Sequence, residues 1–194
     1  ISQTASDAVK LLLANGFEDP CLRWLLRQCD EPWTAFDFYA YDRIWEGESR
    51  EPVATSVLYD RIGWAMMRSG WGPRETLLAV KSGFTWNHAH ADAGSFILFH
   101  QGVPLLIDSG NCSYARPEYV DYYLQSRAHN VVLFEGEGQD PDDLYRGVQQ
   151  PGRLYHLLDH DGWYYVYADA TGPMARHFSR NYRHFLWLDG VILI

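Results

Sequence analysis

The chain has 194 residues, of which 47% are hydrophobic, 15% aromatic and 21% charged. That composition suits one sizeable core, or one domain with part of a second, and excludes a disordered or low-complexity chain. The formal net charge is −9 and no Lys/Arg cluster offsets it, so no nucleic-acid partner is expected.

No stretch approaches the roughly 18 consecutive apolar residues of a membrane span. Ile1-Ser2-Gln3-Thr4 has no initiator Met and no leader-like region, and Val191–Ile194 reads as a strand cut in mid-run. The sequence therefore reads as an internal piece of a longer chain. Cys21, Cys29 and Cys112 lie at no metal-like spacing. The first two sit two turns apart on one predicted helix, roughly 12 Å along its axis, too far for a disulfide. All three are expected to be small buried hydrophobes.

A first amphipathic helix is predicted over 5–16, with Ser6 as N-cap and Gly16 as its stop. A second runs from Pro20 to Cys29, capped by Asp19 and burying Leu22, Trp24, Leu25 and Leu26. An aromatic segment follows from Trp33 to Tyr41. So few short helices cannot close a core, so residues 1–46 are expected to belong to a helical domain lying upstream. Residues 47–54, polar and marked by Gly47 and Pro52, read either as a linker or as a charged surface loop.

Residues 55–194 alternate short apolar runs with turn signals, the spacing of an antiparallel β-sandwich or barrel. Strands are predicted at 56–59, 63–68, 76–81, 94–100, 104–107, 130–134, 152–158, 163–169, 178–188 and 191–194. Asp161-Gly162 and Asp189-Gly190 are strong hairpin turns. Glu135 to Asp143 is acidic, with Gly and Pro, and is expected to be a surface loop. The fold class is mainly β, preceded by a few helices.

The segment Asn87-His88-Ala89-His90-Ala91-Asp92-Ala93-Gly94-Ser95-Phe96 carries the chemistry. On an extended strand His88, His90 and Asp92 would share a face. Two imidazoles and a carboxylate suit zinc, and Asp108 and His129 could complete a site. The same side chains could instead be hydrogen-bonded at a sheet edge, and Asp92 could hold the loop beside Gly94. His100, His156, His160, His177 and His184 are scattered and form no such pattern.

That segment, with Gly102-Val103-Pro104-Leu105-Leu106-Ile107-Asp108-Ser109-Gly110, Tyr114 and Ser126-Arg127-Ala128-His129-Asn130-Val131-Val132, resembles the heparinase II/III-like polysaccharide lyases. Looser similarity extends to Met67–Trp71 and His177–Arg180, so the resemblance covers about residues 55–194. It implies an antiparallel β-sandwich following an α/α toroid, whose end the first helices would be. It implies His90, Asp108 and His129 as zinc ligands, His88 facing the substrate cleft, and Tyr114 as an active-site tyrosine. The family's other catalytic residues lie in the toroid.

The implied reaction is β-elimination on a uronic-acid polysaccharide, heparan sulfate-like or alginate-like. Carboxylate neutralisation, a base at C5 and a proton for the departing oxygen are required. His88 is assigned as base or neutraliser and Tyr114 to supporting acid/base work. Zinc is expected to brace the segment bearing His88, although an open fourth position would also allow hydrolysis. Arg68, Arg127 and Arg180, with Arg176 and Arg183, could form a local cationic patch for the anionic substrate. Trp64, Trp71 and Trp86 could stack on sugars, but a buried place is expected for each. The resemblance further implies a periplasmic or secreted setting. Two other readings are a non-catalytic carbohydrate-binding module and a cupin-type metal oxygenase; the latter expects a Glu after His-x-His, where this chain has Asp92.

Overall fold

The computed structural model describes residues 3–29, 33–83, 89–140 and 149–194. It divides into two compact units, 1–53 and 54–194.

The first unit contains α1 (Gln3–Ala14), α2 (Pro20–Arg27), α3 (Ala35–Tyr39) and α4 (Tyr41–Ile44). The predicted Ser6 cap is corrected: α1 starts at Gln3, so Ser6 lies inside the helix and is buried. Gly16 does stop it. At φ +86° its amide and that of Phe17 bond back to Leu13 and Leu12, a left-handed C-cap that favours glycine. Asp19 caps α2 by accepting from the Cys21 amide at 2.8 Å, with Pro20 in the first turn.

Leu13, Leu26 and Ile44 form the core of this unit. Beneath them Lys10 Nζ lies 2.9 Å from Asp37, both side chains almost fully buried. Asp37 also accepts from the Thr34 amide and hydroxyl, each at 2.8 Å, and from the Trp45 indole at 3.2 Å. Burial alone would raise the Asp37 carboxyl; the bonds from Thr34 and Lys10 outweigh it and hold it below its usual value. The three cysteines are free thiols and only partly buried.

The second unit contains two antiparallel sheets. One has the order β1 (Ser56–Tyr59), β2 (Trp64–Arg68), β3 (Leu77–Lys81), β4 (Ser95–His100), β5 (Val103–Leu106). The other runs β6 (Arg153–His160), β7 (Trp163–Asp169), β8 (Tyr182–Leu188), β9 (Val191–Leu193). Asp161-Gly162 and Asp189-Gly190 have positive φ at both positions, as the hairpin turns require.

Alternate residues of both sheets face one core. Ala65, Met67, Leu78, Val80 and Phe96 of the first sheet meet Leu154, Tyr164, Val166, Phe185 and Trp187 of the second. This is a β-sandwich, the predicted fold class. Burying these aliphatic and aromatic side chains contributes about 1.5–3 kcal/mol each. Tyr164 reaches through to donate from its hydroxyl to the Arg68 carbonyl at 2.9 Å. Among the described residues no helix is long and apolar enough to cross a membrane.

Two predicted strands are corrected. Residues 130–134 form no ladder, since Asn130 spends its side-chain amide on the Phe96 and Ile107 carbonyls and only Phe134 bridges Glu137. The strand predicted from Phe178 starts at Tyr182, because 174–178 turn back on themselves through bonds from His177 and Phe178 to Met174.

A candidate active-site cavity

The outward face of the first sheet carries a cavity of about 370 Å³. Its floor is set by strand register: Trp64 pairs with Lys81, and Lys81 with Ser95, so the three lie in one row across β2, β3 and β4. That register is pinned just outside the row. A Cβ on Gly63 would come within 2.2 Å of the Gly83 Cα, and one on Gly83 within 2.2 Å of the Ile62 carbonyl oxygen. Only glycines permit so close a backbone crossing.

Over the floor lies the segment carrying His90 and Asp92. Residues 89–94 form a loop and not the extended strand on which His88, His90 and Asp92 would share a face, yet His90 and Asp92 both line the cavity. Ala91 and Ala93 are buried, and the loop is tied down on several sides. The Ala91 amide donates to Leu124, the Ala91 carbonyl accepts from Ser126 Oγ at 2.6 Å, and the Ala93 amide donates to Gln139 Oε1 at 3.3 Å. Asp92 turns to Lys81, whose Nζ lies 2.7 and 2.6 Å from its two carboxylate oxygens. His88, Asn87 and Trp86 lie outside the described residues.

Asp108 follows β5 and accepts the Gly110 amide at 2.9 Å on one oxygen. Its other oxygen is 2.5 Å from Nδ1 of His129, whose side chain is 1% exposed. A π-helical turn (Tyr119–Tyr123) and a 3-10 turn (Ser126–Ala128) deliver His129 to that place. His129 Nε2 donates to the Tyr123 carbonyl at 3.0 Å. Both ring nitrogens thus face oxygen acceptors.

The His90 ring centroid is 5.2 Å from that of His129 and 5.9 Å from that of Tyr119. Burial, and then the neighbouring His129, lower the His90 pKa and favour the neutral imidazole that metals bind. For Asp108, burial pulls upward, but hydrogen bonds from His129 and Gly110 prevail and keep the carboxyl below its usual value. With Asp108 closed directly on His129, the described residues contain no group of three His, Cys, Asp or Glu spaced to hold a metal ion. The donor types still fit zinc. Two imidazole rings lie side by side, a carboxylate bonds one of them, and a carbonyl occupies the outer nitrogen of His129, as is usual for metal-bound histidines.

The family described as Heparinase II/III-like, C-terminal, matches residues 51–180. The chain belongs to that family. A heparin-sulfate lyase of Bacteroides thetaiotaomicron is 32% identical over 76 residues, 34% of this chain and 11% of the relative. One from Bacteroides stercoris is 28% identical over 117 residues, 57% of this chain and 17% of the relative. Among solved structures, a heparinase III with methylated lysines superposes with TM-score 0.71 at 15% identity, over 97% of this chain and 26% of that one. The heparan sulfate lyase of Pedobacter heparinus gives 0.68 at 18% identity, over 98% and 26% respectively. These likenesses establish a shared fold, and the chain spans only about a quarter of either structure.

Within this heparinase II/III-like sandwich, Tyr114 is 54% exposed and its ring meets Tyr119 edge-on at 4.5 Å. Burial, followed by the Tyr114 hydroxyl, raises the Tyr119 phenol. Tyr114, Tyr119 and His90 therefore form a chain of ring contacts. The arginines are dispersed in their roles. Arg68 lies over Trp71, with 4.7 Å from its guanidinium carbon to the ring centroid, and Arg180 lies over Tyr182 at 5.6 Å. Arg127 donates to the Asp121 carbonyl. Arg183 bonds the Gly94 and Asn130 carbonyls, holding the ends of the two motif segments.

Sequence reasoning missed Lys81 and misplaced Trp64, which is 40% exposed and lines the cavity instead of filling the core. The available signal for Lys81 was a cation closing the apolar strand Leu77–Val80.

Proposed function

We propose that this chain is the sandwich portion of a polysaccharide lyase that cleaves a uronic-acid-containing polysaccharide by β-elimination. The observation that carries the reading is an open cavity lined by His90 and Asp108, with His129 bonded to Asp108, in a chain of this family. The named activities of its relatives favour a heparin- or heparan sulfate-like substrate over an alginate-like one. They also favour a lyase over a cupin-type oxygenase.

In the proposed step a base removes the C5 proton, its electron pair forms the C4–C5 double bond, and the C4–oxygen bond breaks. The departing oxygen takes a proton from an acid. His88 is assigned as base or carboxylate neutraliser, and Tyr114, in contact with Tyr119, as the supporting proton donor. Burial, followed by Tyr114, raises the Tyr119 phenol further above its ordinary value, so it remains a hydrogen-bonding partner for Tyr114. His90, Asp108 and His129 would hold a zinc ion, which when bound supplies a fixed positive brace between the two motif segments. The substrate belongs outside the cytoplasm, in the periplasm or the medium, where such polymers and their fragments are met.

The test is ultraviolet absorbance of the unsaturated product when the full-length protein meets heparan sulfate. Absorbance that rises with wild type and is lost in His88→Ala and Tyr114→Phe is expected. Sugar binding without any double-bond formation would favour a non-catalytic carbohydrate-binding module instead.

A further inference from the structure

We propose that Trp64 and Lys81 form a subsite for an acidic sugar on the floor of the cavity. The ammonium takes a carboxylate or sulfate oxygen, and the indole takes one face of the ring. The inference rests on the lyase reading of the same cavity and names the residues that would choose its substrate.

The two side chains are cross-strand partners on the outward face of the first sheet. Their inward neighbours Ala65 and Val80 are each 1% exposed, whereas Trp64 stays 40% exposed. A large ring left half open at a cavity, next to a cation, contributes little to packing and offers a flat apolar surface. Lys81 would ordinarily extend its head into water. Here Asp92 holds it at the cavity through both carboxylate oxygens. An ammonium has three donors, and among the described residues Asp92 takes two directions, which leaves one for a ligand oxygen.

Lys81 and Asp92 form a closed ion pair in the lining, so a ligand oxygen would meet a positioned ammonium hydrogen beside the indole face. Ser95 and Asn111 complete the lining with neutral polar groups suited to hydroxyls. The volume of about 370 Å³ falls within the range of small-ligand pockets, roughly 300–1,000 Å³.

Calorimetric titration of the chain with a heparan sulfate tetrasaccharide, beside an uncharged glucose tetrasaccharide, tests the subsite. Trp64→Ala should weaken both ligands by about tenfold. Lys81→Met combined with Asp92→Asn leaves no unpaired charge, so it should fold. It should weaken the acidic ligand by about tenfold, flatten its salt dependence and leave the neutral one unchanged. Wild-type affinity in both variants, or no binding of the acidic ligand by wild type, would overturn the proposal. The two readings separate in the full-length enzyme. Unsaturated product formed with unchanged KM in both variants would remove the subsite and keep the lyase. Variant-sensitive binding with no product from wild type would do the reverse.

Discussion

Two lysine–aspartate pairs, one in each unit, have the same chemistry and opposite surroundings. Lys10 and Asp37 are sealed among helices, their side chains 5% and 0% exposed, and every approach to the carboxylate is taken by a donor. Lys81 and Asp92 are 23% and 11% exposed and open onto a cavity. The first pair can only hold structure together. The second holds a charge where a ligand can reach it. Solvent access, more than distance, separates the two pairs.

Removing one partner should expose that difference. Asp37→Ala leaves Lys10 buried and uncompensated, and should cost about 3–5 kcal/mol. Denaturant unfolding followed by the Trp45 indole resonance would measure it. A loss near zero would mean that the helical unit relaxes around the lysine. Acid should act on the same pair. Because the folded Asp37 carboxyl lies below its unfolded value, its stabilisation is complete above about pH 4 and is lost as pH falls through the folded pKa. The Trp45 resonance should report weakening on acidification, and stability that rises as pH falls would contradict the assignment.

Lys81→Met alone should cost less, about 1–3 kcal/mol, because water can reach the abandoned Asp92. Equal losses for Lys81→Met and Asp37→Ala would erase the contrast between the pairs. The smallest effect belongs to Glu118. Arg116, at 2.9 Å, holds its carboxyl down to about 2, yet both groups are open to water. Glu118→Gln should therefore leave the melting temperature unchanged, since exposed pairs are screened.

Much of the sandwich was legible because alternation and hairpin turns are local signals. β1 and β7 occupy 56–59 and 163–169 as predicted, and Asp161-Gly162 turns between β6 and β7. Residues 130–134 misled because apolar Val131 and Val132 look like a strand. The side chain of Asn130 instead takes up the carbonyls of Phe96 and Ile107, tying the loop to the first sheet without extending it. The motif residues His90, Asp108 and His129 were readable by resemblance; Asp108 bonds His129 and the His90 ring lies 5.2 Å from the His129 ring, but among the described residues no three such groups are spaced to hold a metal. Lys81 and Trp64 were not, because their pairing depends on the β2–β3 register and on the Gly63–Gly83 crossing that pins it. Neither residue has a sequence neighbour that marks it.

The central claim is that His90, Asp108 and His129 act as one metal-braced unit beside the cavity. Metal content of the purified chain by mass spectrometry, beside His90→Ala and His129→Ala, tests it most directly. The account predicts about one zinc per chain in wild type, lost in both variants together with thermal stability. No metal in wild type, with both variants folding and melting as wild type does, would contradict it.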